Sequence, residues 1–153
     1  MENITVKTKL DQFFEKSQSL ERIYEEYALS KGLTYMSFTV LGIIYDNPES
    51  CTQKLIVDRS LYTKQSVNLI IKSFWQDGYV ELKEDPADRR NKKIYFTGKG
   101  RIYADEVIGK LQNVEKQAME QLSDDQWEQL LQMVDVFEKK FLSGMADLLS
   151  SNA

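Results

Sequence analysis

Two short stretches of the 153-residue chain carry side chains whose types and spacing could do chemistry. The first, TKQSVNLIIK, runs from Thr63 to Lys72. At helical spacing Lys64, Gln65, Ser66, Asn68, Lys72 and Ser73 fall on one side, and Val67, Ile70, Ile71 and Phe74 on the other. Glutamine and asparagine on a helix can pair with both polar atoms of an adenine edge in the major groove of B-DNA. Lysines beside them can neutralise phosphates. The second stretch is Asp88-Arg89-Arg90-Asn91-Lys92-Lys93, a basic run after Glu84, Asp85 and Pro86. Arginine at the tip of a turn is drawn to the negative potential of a narrow minor groove.

The net charge of −4 argues by itself against a polyanionic partner, but the charge is unevenly spread. Residues 51–100 hold ten Lys/Arg against six Asp/Glu, and the rest of the chain holds ten against eighteen. Attraction of a polyanion depends on the local field, so a basic middle between acidic ends suits one. The chain has no histidine, the commonest metal ligand and general base. Gly98-Lys99-Gly100 lacks the spacing and the following Ser/Thr of a phosphate-binding loop. Asp85 and Asp88 fall in an exposed turn, where a catalytic pKa shift is hard to produce. We therefore expect no enzyme, no metal and no cofactor.

The elements that must hold these residues follow from periodicity and caps. Leu10, Phe13, Phe14, Leu20, Tyr24 and Tyr27 predict a long helix over residues 3–29, closed at Gly32. Thr34, Thr52 and Thr63 can each cap a further helix, the last ending at Gly78. Val80 and Leu82, then Ile94 and Phe96, alternate with polar neighbours and predict two short strands. The passage between them reads as a long charged hairpin tip. After Gly100, Ala104, Ile108, Leu111, Val114, Ala118 and Leu122 predict a fifth helix. Ser123 to Gln126 forms a capping box for a sixth, whose apolar spacing is interrupted at Gly144. The fold class expected is mainly α: a winged helix–turn–helix over residues 34–100, flanked by long helices over 1–33 and 101–153. No stretch approaches the ~18 apolar residues of a membrane span. The N-terminus lacks the apolar core of a signal peptide. A cytoplasmic protein with no membrane partner is the expectation.

Asp88-Arg89-Arg90, Ile94-Tyr95-Phe96-Thr97 and Gly100 stand at the spacing of the wing motif of MarR-type transcription factors, which this sequence resembles. Gly78-Tyr79-Val80 is similar to the family's turn from helix to wing, and the helix order agrees over nearly the whole chain. The resemblance implies a homodimer in which the first, fifth and sixth helices interlace. It implies double-stranded DNA as partner, with Arg90 in the minor groove, Asp88 orienting it, and Arg89 and Lys92 beside it. It implies base reading by Lys64, Gln65, Ser66 and Asn68, with Lys72 on phosphate and Thr63 a further DNA-binding residue. Thr52 and Gln53 stand where the family meets the DNA backbone. Two positions depart from the pattern: Leu61 replaces a frequent glycine, and Leu69 replaces a polar or basic residue.

The expectation is a ligand-responsive regulator, a repressor rather than an activator, binding a pseudo-palindrome. The alternative is a winged-helix module that binds protein instead of DNA. Relatives often bind aromatic anions, and Phe13, Phe14, Tyr24 and Tyr27 could line a pocket for such an effector. Aromatics at helical spacing are more often core or dimer interface, which is the preferred reading here. Cys51 is read as a small packed residue rather than a redox switch.

Overall fold

The structure, a computed structural model, describes residues 2–86 and 88–151, with side chains throughout except at 2–5, 85 and 88–91. Helix α1 (Glu2–Ser30) is followed by α2 (Tyr35–Asp46), α3 (Gln53–Ser60) and α4 (Lys64–Gln76). The hairpin β1 (Val80–Asp85) and β2 (Asp88–Phe96) comes next. Then follow α5 (Gly98–Ala104), a π turn (Asp105–Gly109), α6 (Lys110–Met119) and α7 (Asp124–Ser150). Residues 1–110 and 111–153 form two compact units. This is a winged helix–turn–helix fold.

Local sequence sets the helix starts. At the entrances of α2, α3, α4 and α5, the Oγ1 atoms of Thr34, Thr52, Thr63 and Thr97 accept the backbone N–H three residues on, at 2.9–3.1 Å. Each such cap stabilises its helix by about 1 kcal/mol. The cap at Thr97 starts the helix after the hairpin at Gly98, three residues ahead of the start read from the sequence.

In the first unit α2 supplies much of the core. Its Val40, Leu41 and Ile44 are fully buried, with Ile56 of α3 and Val67, Ile71 and Phe74 of α4 packed to the same interior. Val80 and Ile94 seal it from the hairpin, and Ala104, Val107 and Ile108 from the helix that follows. Phe38 gathers Tyr24, Tyr27 and Tyr35 around it at 6.0–6.4 Å between ring centres. Tyr24 and Tyr27 are therefore half-buried aromatics joining α1 to α2, while Phe13 and Phe14 are a part-exposed edge-to-face pair further along α1. Cys51 is fully buried, and burial pushes its thiol up to about 12, as suits a packed residue.

The hairpin differs from expectation. Val80 pairs with Phe96 and Leu82 with Ile94, as the alternation implies, but the ladder continues through Lys83–Lys93 and Glu84–Lys92 to Asp85–Asp88. A bulge at Glu84/Asp85 absorbs the register shift. Most of the expected loop is thus strand. The alternation was not visible there because both faces of the projecting ladder are polar. A third strand fragment joins it, since Thr52 bridges Lys93 and Ile94 N donates to Cys51 O at 2.9 Å.

The predicted fifth helix also differs, because it contains the π turn. Tyr27 Oη donates to Val107 O at 2.7 Å, and Tyr45 Oη donates to Asp105 Oδ1 at 2.9 Å. Gly109 lies beneath Tyr45: a Cβ there would sit 2.9 Å from the phenol oxygen. These contacts come from α1 and α2, far away in sequence, so local periodicity carried no sign of them.

The second unit holds most of α6 together with α7. Its capping box is formed: Ser123 Oγ accepts Gln126 N at 3.3 Å, and Gln126 Oε1 accepts Ser123 N at 2.9 Å. Trp127 Nε1 donates to Met119 O at 2.9 Å, which ties the turn between the helices. Helix α7 runs through Gly144 without a break, so that glycine interrupts the apolar spacing but not the backbone. Leu130, Val134, Phe137, Phe141 and Leu148 are all substantially exposed.

Candidate nucleic-acid interface

Helix α4 is anchored by Val67, Ile71 and Phe74. That anchoring turns Lys64, Gln65, Asn68 and Lys72 to solvent. Thr63 and Ser66 have a second task. Thr63 Oγ1 accepts Ser66 N at 3.1 Å and shares a 2.9 Å hydrogen bond with Ser66 Oγ, so both hydroxyls are engaged at the helix entrance. Gln53 Nε2 donates to Lys64 O at 3.2 Å and ties the start of α3 to the start of α4. This bond links the N-terminal ends of the two helices.

Between α3, α4 and the hairpin lies a cleft of about 570 Å³. Thr52, Gln53, Lys64, Asn68 and Lys92 line it, over an apolar floor of Val57, Ile71, Leu82 and Ile94. Lys92 faces the cleft because strand alternation sets it on the same side of the hairpin as Ile94. Five residues singled out from three separate stretches thus meet at one concave surface. Gln65 and Lys72 lie on the outward face of α4, beyond the lining. Asp88, Arg89 and Arg90 belong to the backbone of β2, and their side chains lie outside the described residues.

Sequence reasoning missed Lys54, which also lines the cleft. Its Nζ is 2.5 Å from Asp58 Oδ2, one turn on along α3. The spacing of that pair was visible, and it reads as a self-neutralised helix surface rather than a ligand contact. On the far side of the hairpin, Lys83 pairs with Glu81 at 2.7 Å and lies over the Tyr95 ring, so one wing lysine is held by the wing's own acid. Lys99 donates to Asp77 O at 2.7 Å and covers the Tyr79 ring. Its place is structural, at the junction of α4, β1 and α5.

Among the described residues, no group of three His, Cys, Asp or Glu could hold a metal ion. No helix among them is long and apolar enough to cross a membrane.

Comparison with known proteins agrees with this geometry. Residues 31–91 match the sequence pattern of the MarR family. The HTH-type transcriptional repressor YetL of Bacillus subtilis is 23% identical over 128 residues, covering 82% of this chain and 77% of that protein. The MarR family regulator NMB1585 from Neisseria meningitidis superposes with a TM-score of 0.73 at 22% identity, covering 91% of this chain and 97% of the other. MepR of S. aureus, in its complex with DNA, superposes with a TM-score of 0.64 at 19% identity, covering 88% and 94%. The chain is thus similar to the MarR family in the sequence of residues 31–91, which span the helix–turn–helix and most of the wing, and it shares the winged helix–turn–helix fold of MarR family regulators.

Proposed function

We propose that this protein binds a specific DNA operator as a homodimer and represses transcription from it. The observation that carries the proposal is the outward face of α4. Gln65 and Asn68 are open to solvent on a helix whose other side is locked into the core, beside a cleft edged by Lys54, Lys64 and Lys92. A helix of this width fits the major groove, and amides on it can discriminate base edges. The lysines supply the sequence-independent attraction to phosphate. Asp88, Arg89 and Arg90 fit this as the wing's minor-groove arm.

The dimer is supported by the second unit. Leu130, Val134, Phe137 and Phe141 are open on α7, and a contiguous apolar surface of that kind marks an interaction site in a soluble protein. Helix α1 adds the exposed Phe13–Phe14 pair, a candidate contact for a small aromatic effector that would release the DNA.

Selection of bound sequences from a random duplex pool tests the reading. Enrichment of a pseudo-palindrome with half-sites about one helical turn apart is expected. Gln65→Ala should relax base preference at one position while leaving retention on random duplex nearly unchanged. A pool with no enrichment, from a protein that co-purifies with a protein partner instead, would point to an interaction module. Repeating the selection with small aromatic acids tests the effector.

A further inference from the structure

Leu69 is 62% exposed, although it stands on the polar face of α4. With 3.6 residues per turn, it lies almost opposite the buried row of Val67, Ile71 and Phe74. Its neighbours one turn away in either direction are Gln65, Ser66, Lys72 and Ser73. One branched apolar side chain therefore sits at the middle of a surface otherwise made of amides, hydroxyls and ammonium groups. A protein-docking patch would need several apolar neighbours in contact, and here every neighbour on the face is polar.

We infer that Leu69 is a specificity-determining residue that reads the C5-methyl group of a thymine in each operator half-site. This rests on the proposal that α4 enters the major groove. In that groove the only apolar group on any of the four base-pair edges is the thymine methyl. A lone leucine between hydrogen-bonding side chains is the complement of a lone methyl between hydrogen-bonding base atoms. Gln65 and Leu69 are four residues apart, hence about 6 Å along the helix axis. At about 3.4 Å per base pair, the thymine falls within two base pairs of the position read by Gln65. The leucine costs free energy in water and gains it back only when the methyl covers it. It discriminates by burial of apolar surface, without a hydrogen bond.

Replacing each thymine of the selected operator by deoxyuridine removes the methyl and leaves every hydrogen-bonding atom in place. At one position per half-site the native protein should lose roughly three- to tenfold in affinity, the worth of about one buried methyl. Leu69→Ala should bind the thymine operator more weakly by a similar factor and show less than about a twofold further loss with deoxyuridine. Its melting temperature should match that of the native protein, because the residue is exposed and not part of the core. The inference is overturned if no half-site contains a thymine, if every deoxyuridine duplex binds as the thymine one does, or if Leu69→Ala keeps the full penalty. A pool that enriches no sequence overturns the DNA reading itself, and Leu69 with it. Enrichment without a methyl effect removes Leu69 alone.

Discussion

The phenol of Tyr27 and the backbone carbonyl of Val107 are 80 residues apart in sequence and 2.7 Å apart in space. The bond joins α1 to the π turn, a segment whose wide turn has no support in local sequence. Burial, and the nearby Glu106 carboxylate, hold the Tyr27 phenol above its ordinary pKa, with Lys110 opposing. Tyr27→Phe removes the hydroxyl and keeps the ring against Phe38. One neutral hydrogen bond is lost, so the variant should be less stable by about 1 kcal/mol. Thermal unfolding at equal protein concentration measures it, and an unchanged midpoint would mean that the π turn holds without the clamp.

The same phenol gives the stability a definite alkaline limit. A proton held more tightly in the folded state than in the unfolded chain stabilises the fold. That contribution is complete below the unfolded phenol pKa of about 10 and is lost as pH rises through the higher folded value. Tyr45 acts in the same direction, raised by burial and by its hydrogen bond to the Asp105 carboxylate. Native protein should therefore lose stability above pH 10 more steeply than Tyr27→Phe, which has no proton to lose there. Parallel curves for the two proteins would contradict this assignment.

Gly100 meets Tyr79, the residue before β1, more closely than any side chain permits. A Cβ at this position would lie 1.7 Å from Tyr79 O, and that carbonyl is itself held by Thr97 N at 3.0 Å. Both sides of the clash are backbone, so neither can turn away. Gly100→Ala should destabilise by about 3 kcal/mol or more, which few single substitutions reach. Gly98→Ala, two residues earlier with nothing within 4 Å of its Cβ, should be close to neutral. Denaturant midpoints of the two variants decide it, and equal midpoints would refute the contact.

What the sequence disclosed was whatever adjacent residues decide. Thr34, Thr52, Thr63 and Ser123 act through an N–H three positions away, so each cap could be read in place. The stripe of Val67, Ile71 and Phe74 fixed which face of α4 would be open, and with it Gln65 and Asn68. The features that escaped are made by partners distant in the chain. Lys92 and Lys93 become strand because Glu84 and Lys83 lie opposite. Cys51 and Thr52 join the hairpin because Ile94 and Lys93 come to them. The π turn exists beside Tyr27 and Tyr45. Lys54 escaped for another reason: its pairing with Asp58 disguised a cleft residue as ordinary helix surface.

Leu61 ends α3 with φ 59° and ψ 16°, the left-handed conformation that a side chain disfavours. Glycine in this turn would avoid the strain. The Leu61 side chain is 90% exposed and contributes little packing. Left-handed backbone costs a residue with a Cβ roughly 1–2 kcal/mol, and glycine returns about 0.4–1 kcal/mol of that through its freer unfolded chain. Leu61→Gly should be more stable by about 0.5–1 kcal/mol, the surplus of those two effects. Leu61→Ala keeps the Cβ and should gain nothing. A rise in melting temperature for both variants, or for neither, would contradict strain as the cause.

The lysines of the cleft predict a salt response that can be apportioned. If six to ten phosphates are met by the dimer, log K should fall against log salt with a slope of roughly −5 to −9. Lys64 and Lys92 line the cleft, one from α4 and one from the hairpin, and each occurs twice in a dimer. Each phosphate contact removed shallows the slope by about 1, so Lys64→Ala or Lys92→Ala should each shallow it by about 2. Lys54 shares its charge with Asp58, so Lys54→Ala should change the slope less. Lys139 on α7, paired with Asp135 at 2.7 Å, serves as the control and should leave it unchanged. Titrations of a fluorescent duplex over a range of salt concentrations give all four slopes. Equal slopes for Lys64→Ala, Lys92→Ala and Lys139→Ala would mean that phosphate is bound somewhere other than the cleft.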